Sequence, residues 1–142
     1  MDFPPVWLAG FAAVALIVGR TVPIMVPHAM ATGAILVFGA LFVMIGASLQ
    51  MFGSRTTVIP GRDPSLLLTN GFFRFSRNPI YLADAVLLAG LCIGWNAWLS
   101  LPLVFVFMSL ISKRFIQPEE ARLAALFGSD FEDYKKRTRR WI

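Results

Sequence analysis

Residues 94–102, GWNAWLSLP, stand in the middle of an apolar stretch that covers residues 80–112. One helix across a bilayer core of about 30 Å needs roughly 20 residues, so this stretch is too long for one span and too short for two full ones. Turn residues and tryptophans, which favour the membrane interface, share its midpoint: Gly94, Trp95, Asn96, Trp98, Ser100 and Pro102. The pattern therefore predicts a short helical hairpin, with helices at about 80–95 and 99–116.

Two further apolar stretches precede this hairpin, at about 4–19 and 29–52, and the second contains no charged residue. Of the 142 residues, 57% are hydrophobic and 15% are charged, and the mean hydropathy of +0.69 is well above that of ordinary globular proteins. The single cysteine, Cys92, rules out an intrachain disulfide or a cysteine-based metal site. We expect one all-α integral membrane domain, 1–142, with four transmembrane helices and no metal.

Basic residues are concentrated in two segments, the connector 53–79 and the tail region 113–142, each with a net charge of +3. A hairpin at 80–112 brings both segments to one side of the membrane, and an excess of Lys and Arg marks the cytoplasmic side. We expect both termini in the cytoplasm, in a cell inner or plasma membrane. The run KKRTRR, residues 135–140, suits anionic lipid headgroups, so no nucleic-acid partner is expected.

The cytoplasmic tail 117–142 has the pattern of two short helices. Pro118 suits the first position of a helix, so a break is expected there. Gly128 suits the end of that helix. Phe131 and Tyr134 share one side of the next, so the tail is expected to pack back under the bundle.

Polar residues gather at the start of the third predicted span. Pro79 begins that helix, whose free N–H groups and positive end suit a carboxylate, and Arg77 stands beside them. Tyr81 and Asp84 are three positions apart and share a face. An ionisable residue such as Asp84 within a span usually faces the protein interior and marks function, so it is expected to pair with an amine or an arginine of the substrate site.

Two segments, LLLTNGFFRFSRNPIYLA (66–83) and KRFIQPEEARLAALFGSDFEDYKKR (113–137), resemble the cofactor-binding half of one enzyme group. It is the isoprenylcysteine carboxyl methyltransferase and phospholipid methyltransferase group, integral membrane enzymes that use S-adenosylmethionine. The resemblance rests on an Arg-x-Pro-x-Tyr run, a paired glutamate, a Phe-Gly pair and a basic stretch containing tyrosine. Asn78 stands where the family has histidine, Ala83 where it has glycine, and Phe72 and Phe73 where it has proline and tyrosine.

The resemblance implies that Arg114 and Glu119 act on the substrate and in catalysis, and that Asn78, Tyr81 and Glu120 lie near the cofactor. Together with the residues at the start of the third span, it gives a set of expected site residues: Arg77, Asn78, Pro79, Tyr81, Asp84, Arg114, Glu119 and Glu120.

Each of these residues also has a simpler explanation. The arginines at the ends of spans set topology, and the paired glutamates are favoured in the first turn of a helix. Tyr81 suits an interfacial anchor and Asn78 a helix cap. Asp84 lies close enough to the end of a span to reach the headgroups.

The implied function is methyl transfer from S-adenosylmethionine to the polar head of a lipid-like or isoprenoid-bearing acceptor. If the head is a carboxylate, Arg114 orients it and no base is needed. If it is an amine, Glu119 or Asp84 takes a proton. Two other classes stay open, a shortened NADPH-dependent enzyme similar to the sterol reductases and a non-enzymatic membrane subunit.

Overall fold

The computed structural model describes residues 3–54 and 64–142, and every regular element in these ranges is helical. Arg55, Arg62 and Asp63 of the connector lie outside the described residues. The helices are α1 (Pro4–Thr21), α2 (Ala29–Gly53), α3 (Phe72–Phe75), α4 (Pro79–Gly94), α5 (Pro102–Ile111), α6 (Gln117–Phe127) and α7 (Ser129–Arg137). A 3₁₀ turn, Trp98–Ser100, precedes α5, and a π-helical segment, Ser112–Ile116, joins α5 to α6.

Within the described ranges, three helical stretches are long and apolar enough to cross a bilayer: α1, α2 and the run Trp98–Phe127. The predicted class, an all-helical integral membrane protein, is confirmed at this level. The third predicted span corresponds to α4, which has 16 residues and is shorter than the other three. The number of spans therefore remains a prediction.

The fourth predicted span, 99–116, does not end where the sequence indicated, and the expected break at Pro118 is wrong. Residues from Pro102 to Phe127 form one continuous helical run, because the backbone widens into a π-helix at Ser112–Ile116. A proline lacks an N–H group and crowds the carbonyl four residues before it. A π-helical turn is a known way of changing the local hydrogen-bond pattern. The paired glutamates therefore do not lie at a free helix end, so an interaction with the helix dipole does not explain their position.

The closest helix packing joins α2 to α4. Gly33 faces Gly90 so closely that a Cβ atom on Gly33 would lie 2.5 Å from the Gly90 carbonyl oxygen. Ala40 and Ala47 follow on the same side of α2 at intervals of seven residues and are buried. Small residues at this spacing allow two membrane helices to approach, and this contact fixes the position of α4.

Gly33→Leu is therefore expected to destabilise the fold by about 1–3 kcal/mol or more, because overpacking forces the two backbones apart. Gly39→Leu is the matched control, since Gly39 is exposed on the same helix and has no atom near its Cβ position. The midpoint of thermal unfolding in detergent measures both. Equal midpoints for the two variants would contradict this packing.

One end of the bundle is held together by Asn96, in the turn between α4 and α5. Its backbone oxygen accepts a hydrogen bond from Ile24 N (2.9 Å), and its side-chain oxygen accepts one from Val26 N (3.2 Å). Asn96 has a positive φ of 56°, which asparagine tolerates better than most residues. This contact ties the α1–α2 loop to the turn of the hairpin.

The tail packs against the opposite end of the bundle. Phe131 and Tyr134 are buried, and the Tyr134 hydroxyl donates a hydrogen bond to the backbone oxygen of Phe73. Gly128, with a φ of 51°, separates α6 from α7 and lets the chain turn back. The start of α4, the start of α6 and α7 consequently meet at one end of the molecule.

Candidate functional site

A cavity of about 380 Å³ lies at this end, between the beginning of α1, α2, the start of α4 and the helices α6 and α7. Its volume falls within the range of sites that hold small molecules. Every predicted site residue except Arg114 lines it: Arg77, Asn78, Pro79, Tyr81, Asp84, Glu119 and Glu120. The remaining walls are mainly apolar, with Met44 and Met51 from α2 and Leu66–Leu68 from the segment before α3.

Tyr81 and Glu119 form a direct contact across the cavity. The Tyr81 hydroxyl lies 3.3 Å from Glu119 Oε2 and donates a hydrogen bond to it. Tyr81 is buried, with 8% of its surface exposed, so it does not serve as an exposed interfacial anchor. Arg122, one helical turn after Glu119, also lines the cavity.

Glu120 lies between two arginines. Arg77 Nη1 is 3.0 Å from Glu120 Oε1, and Arg140 binds both carboxylate oxygens, with Nη2–Oε2 at 2.6 Å and Nε–Oε1 at 3.1 Å. The side chains of Arg77 and Glu120 are only 12% and 14% exposed. Two guanidinium groups thus share one buried carboxylate, which leaves an excess of positive charge in this part of the wall.

Arg77 retains hydrogen-bonding capacity in this arrangement. Its Nε and Nη1 atoms are buried and have no hydrogen-bond partner within residues 3–54 and 64–142. The contact of Nη1 with Glu120 is close enough for an ion pair but not aligned as a hydrogen bond. Unpaired buried N–H groups are costly, so these two atoms have unused capacity for hydrogen bonds.

Asn78 does not cap α4. Its side-chain Nδ2 donates a hydrogen bond to the backbone oxygen of Arg140 (3.0 Å), and its backbone N–H donates to Ser76 Oγ (3.1 Å). Among the described residues no side chain caps α4, so the N–H groups of Ile80 and Tyr81 in its first turn point toward the cavity end.

Asp84 lies one helical turn beyond Tyr81 and is 5% exposed. Within the described part of the chain it forms no ion pair, and it lines the cavity. Of the described residues that line the cavity, three are acidic and two are basic: Asp84, Glu119, Glu120, Arg77 and Arg122. Glu120 is bound by Arg77 and Arg140, and Arg122 acts on Glu119, so Asp84 and Glu119 together leave one net negative charge in their part of the cavity.

Arg114 lies elsewhere. Its guanidinium carbon is 5.2 Å from the centroid of the Trp7 ring, within the range of a cation–π contact. Arg114 is not among the described residues that line the cavity. The structure therefore does not bring Arg114 to the cavity, and its catalytic role remains a prediction from the resemblance alone.

Two ionisable groups of the tail have perturbed pKa values with clear causes. The hydrogen bond to Glu120 raises the pKa of Arg140, which stays charged at every physiological pH. Burial raises the pKa of Tyr134, so its phenol stays neutral and serves as a hydrogen-bond donor to the backbone of Phe73.

Sequence reasoning missed two arginines of this site. Arg122 is three positions after Glu119, and this spacing already placed them on one helix face. Arg140 belongs to the basic run KKRTRR, which was interpreted as a surface for headgroups. Lys135 and Lys136 of this run are exposed, and a contact with headgroups stays a prediction. The contact of Arg140 with Glu120 spans 20 positions and has no signal in local sequence.

Comparison with curated proteins gave no match, and comparison with solved structures gave none. The family described as phospholipid methyltransferase matches residues 26–130. This range includes α2, α4, α6 and every predicted site residue, and it covers most of the chain. With apolar helices able to cross a membrane and a cavity that collects the polar residues at one end, the chain belongs to the phospholipid methyltransferase family.

Proposed function

We propose that this protein is an S-adenosylmethionine-dependent membrane methyltransferase, which binds its cofactor in the cavity and methylates the polar head of a lipid-like acceptor. Membership of a methyltransferase family supports enzymatic methyl transfer. The observation that carries the cofactor assignment is Arg77, which lines the cavity and whose buried Nε and Nη1 atoms lack hydrogen-bond partners in the described chain.

The residues present fit the cofactor's functional groups. Arg77, with the first-turn N–H groups of Ile80 and Tyr81, suits the carboxylate of an amino-acid head, because a cation and a helix N-terminus both favour an anion. Asp84 suits the cofactor's positively charged groups. When bound, S-adenosylmethionine supplies an electrophilic methyl group on a sulfonium. The protein's part is to position the two reactants and exclude water, since displacement at a methyl carbon depends on alignment and desolvation.

For the acceptor we propose an amine head. A carboxylate head would have to approach the acidic pair Asp84 and Glu119, whereas an ammonium group is attracted to them. A protonated amine must lose a proton before it can attack, and Glu119 is the half-buried carboxylate of the cavity that would take it. The carboxylate alternative relied on Arg114, which contacts Trp7 instead; in the cavity, Arg122 is the cation that such a head would meet.

The acceptor's apolar chain is expected to lie along the apolar wall formed by Met44, Met51 and Leu66–Leu68. An amphipathic molecule would then hold its chain at the bundle and its head beside Glu119. We place this end of the molecule in the cytoplasm, where the basic residues of the connector and tail favour it and where a water-soluble cofactor is supplied.

Ligand-dependent thermal stabilisation of the detergent-purified protein tests the cofactor assignment. A ligand that binds only the folded state at about 100 times its Kd stabilises it by about 2.7 kcal/mol. We expect S-adenosylmethionine and S-adenosylhomocysteine to raise the midpoint and NADPH to leave it unchanged. Stabilisation by NADPH alone would support the sterol-reductase-like alternative, and no shift with any ligand would support a non-enzymatic subunit.

A further inference from the structure

The segment Thr138–Trp141, hereafter the clasp, follows α7 and runs beside the end of α3 and the linker between α3 and α4. Thr138 Oγ1 donates a hydrogen bond to the backbone oxygen of Arg74 (3.3 Å). The backbone N–H of Arg77 donates to the backbone oxygen of Arg139 (3.0 Å). The Asn78 side chain donates to the backbone oxygen of Arg140 (3.0 Å). Three successive residues of the clasp thus contact Arg74 in α3 and Arg77 and Asn78 in the linker, and the two linker residues line the cavity.

The clasp also reaches the opposite wall, through the side chain of Arg140. Its guanidinium group binds both oxygens of Glu120 on α6, and Nη1 lies 3.5 Å from Ser112 Oγ in the π-helical segment. Arg140 therefore binds the linker through its backbone and α6 through its side chain. A charged, two-point contact of this kind fixes orientation as well as distance.

Arg140 affects the proposed cofactor site through its contact with Glu120. A carboxylate has two oxygens, and Arg140 forms the well-aligned hydrogen bonds to both, so Arg77 is left with a Coulombic contact only. Without Arg140, Glu120 would be free to turn and take hydrogen bonds from Arg77. The N–H groups that suit the cofactor's carboxylate would then be occupied.

We propose that Arg140 is a positioning residue of the cofactor site, which binds Glu120 and thereby keeps the N–H groups of Arg77 available to an anionic ligand group. The proposal rests on the proposed function for the identity of that ligand. Asn78, in the linker, helps to hold Arg140 in this position. Its amide holds the Arg140 backbone in place, which requires a neutral N–H donor and no proton transfer.

Arg140→Ala and Arg139→Ala form a matched pair for the test. Both remove one positive charge from the clasp, but the Arg139 side chain is exposed and its structural contact is made by its backbone oxygen. Calorimetric titration with S-adenosylhomocysteine is expected to show affinity about tenfold or more weaker for Arg140→Ala and within twofold of wild type for Arg139→Ala. Arg140→Lys, which keeps the charge but not the two-point contact, is expected to fall between them. Wild-type affinity in a folded Arg140→Ala protein would overturn the proposal.

A double-mutant cycle with Glu120→Gln separates positioning from a general loss of stability. If Arg140 acts through Glu120, adding Arg140→Ala to the Glu120→Gln protein should weaken ligand binding far less than adding it to wild type. Fully additive losses would contradict a role through Glu120.

Hydrogen exchange gives a readout that needs no ligand. The peptide that covers residues 74–81 is expected to exchange about tenfold faster in Arg140→Ala than in wild type or Arg139→Ala, because the clasp loses its side-chain contact with Glu120 on α6 and then holds the linker less firmly. Equal exchange rates in all three proteins would contradict the role of the clasp in holding the linker. If wild type shows no affinity for S-adenosylhomocysteine while exchange follows this pattern, the proposed cofactor is wrong and the clasp stands.

Discussion

Glu119→Gln is expected to lower kcat for methylation of an amine acceptor by about 10²- to 10⁴-fold, the usual loss when a general base is removed. Glutamine has nearly the same shape and can still accept the hydrogen bond from Tyr81, so the cavity wall stays in place. It has no carboxylate to receive the proton of an ammonium group. Affinity for S-adenosylhomocysteine, measured by titration, should stay within a few-fold of wild type. A lower kcat with nearly unchanged cofactor affinity would show that the substitution slows the chemical step.

Asp84→Asn and Arg114→Ala complete this experiment. Asp84 is the other carboxylate of the acidic pair, so a larger loss in Asp84→Asn than in Glu119→Gln would transfer the role of base to Asp84. The family resemblance implies that Arg114→Ala also abolishes turnover, whereas its position against Trp7 predicts a smaller effect. Normal turnover in a purified, folded Glu119→Gln protein would refute the assignment of Glu119.

Glu120→Gln is expected to destabilise the protein by about 3–5 kcal/mol, as when one partner of a buried ion pair is removed. The substitution leaves the buried guanidinium of Arg77 and the half-buried one of Arg140 without a counter-charge. The expected result is a lower midpoint of thermal unfolding together with weaker cofactor binding.

The control for this change is Glu132→Gln. Glu132 also pairs with a cation, Lys135, but both side chains are exposed, and surface pairs contribute about 0–1 kcal/mol. The two substitutions remove the same charge from neighbouring helices, so the difference between their unfolding midpoints measures the effect of burial. If Glu120→Gln unfolds at the same temperature as Glu132→Gln, the buried cluster of arginines around Glu120 does not hold the two walls together.

The sequence was sufficient to locate the first three long apolar helices and the polar cluster. The length of an apolar run limits where a span can lie, and the helices found at Pro4–Thr21, Ala29–Gly53 and Pro79–Gly94 differ from the predicted ranges by two residues or fewer at each end. A hairpin brings the start of the third span and the end of the fourth to one end of the bundle. The residues around Asn78 and Glu119 therefore had to lie close together.

Two errors share one physical origin. The break expected at Pro118 followed from the general cost of proline in a helix, but the π-helical segment Ser112–Ile116 allows the helix to continue. Arg114 was expected to face the paired glutamates across that break. In a continuous helix it points toward Trp7 instead.

The contact of Arg140 with Glu120 could not be predicted from the sequence, for a different reason. A run of basic residues beside a membrane has an adequate explanation in lipid headgroups, and nothing in the run distinguishes Arg140 from Lys136. Only the folded tail shows the difference between them. Arg140 binds the carboxylate of Glu120, 20 positions earlier, whereas Lys136 pairs at the surface with Asp133.

The most direct test of the account is methyl transfer itself. The purified protein would be incubated with S-adenosylmethionine labelled on its methyl group and with vesicles of two kinds, whose lipids carry either primary-amine or carboxylate heads. We expect the label to appear on the amine-headed lipid with wild type and to fall to near background with Glu119→Gln. Label on neither lipid, from a folded protein that is stabilised by S-adenosylhomocysteine, would contradict a lipid acceptor, and label on the carboxylate heads alone would contradict Glu119 as the base.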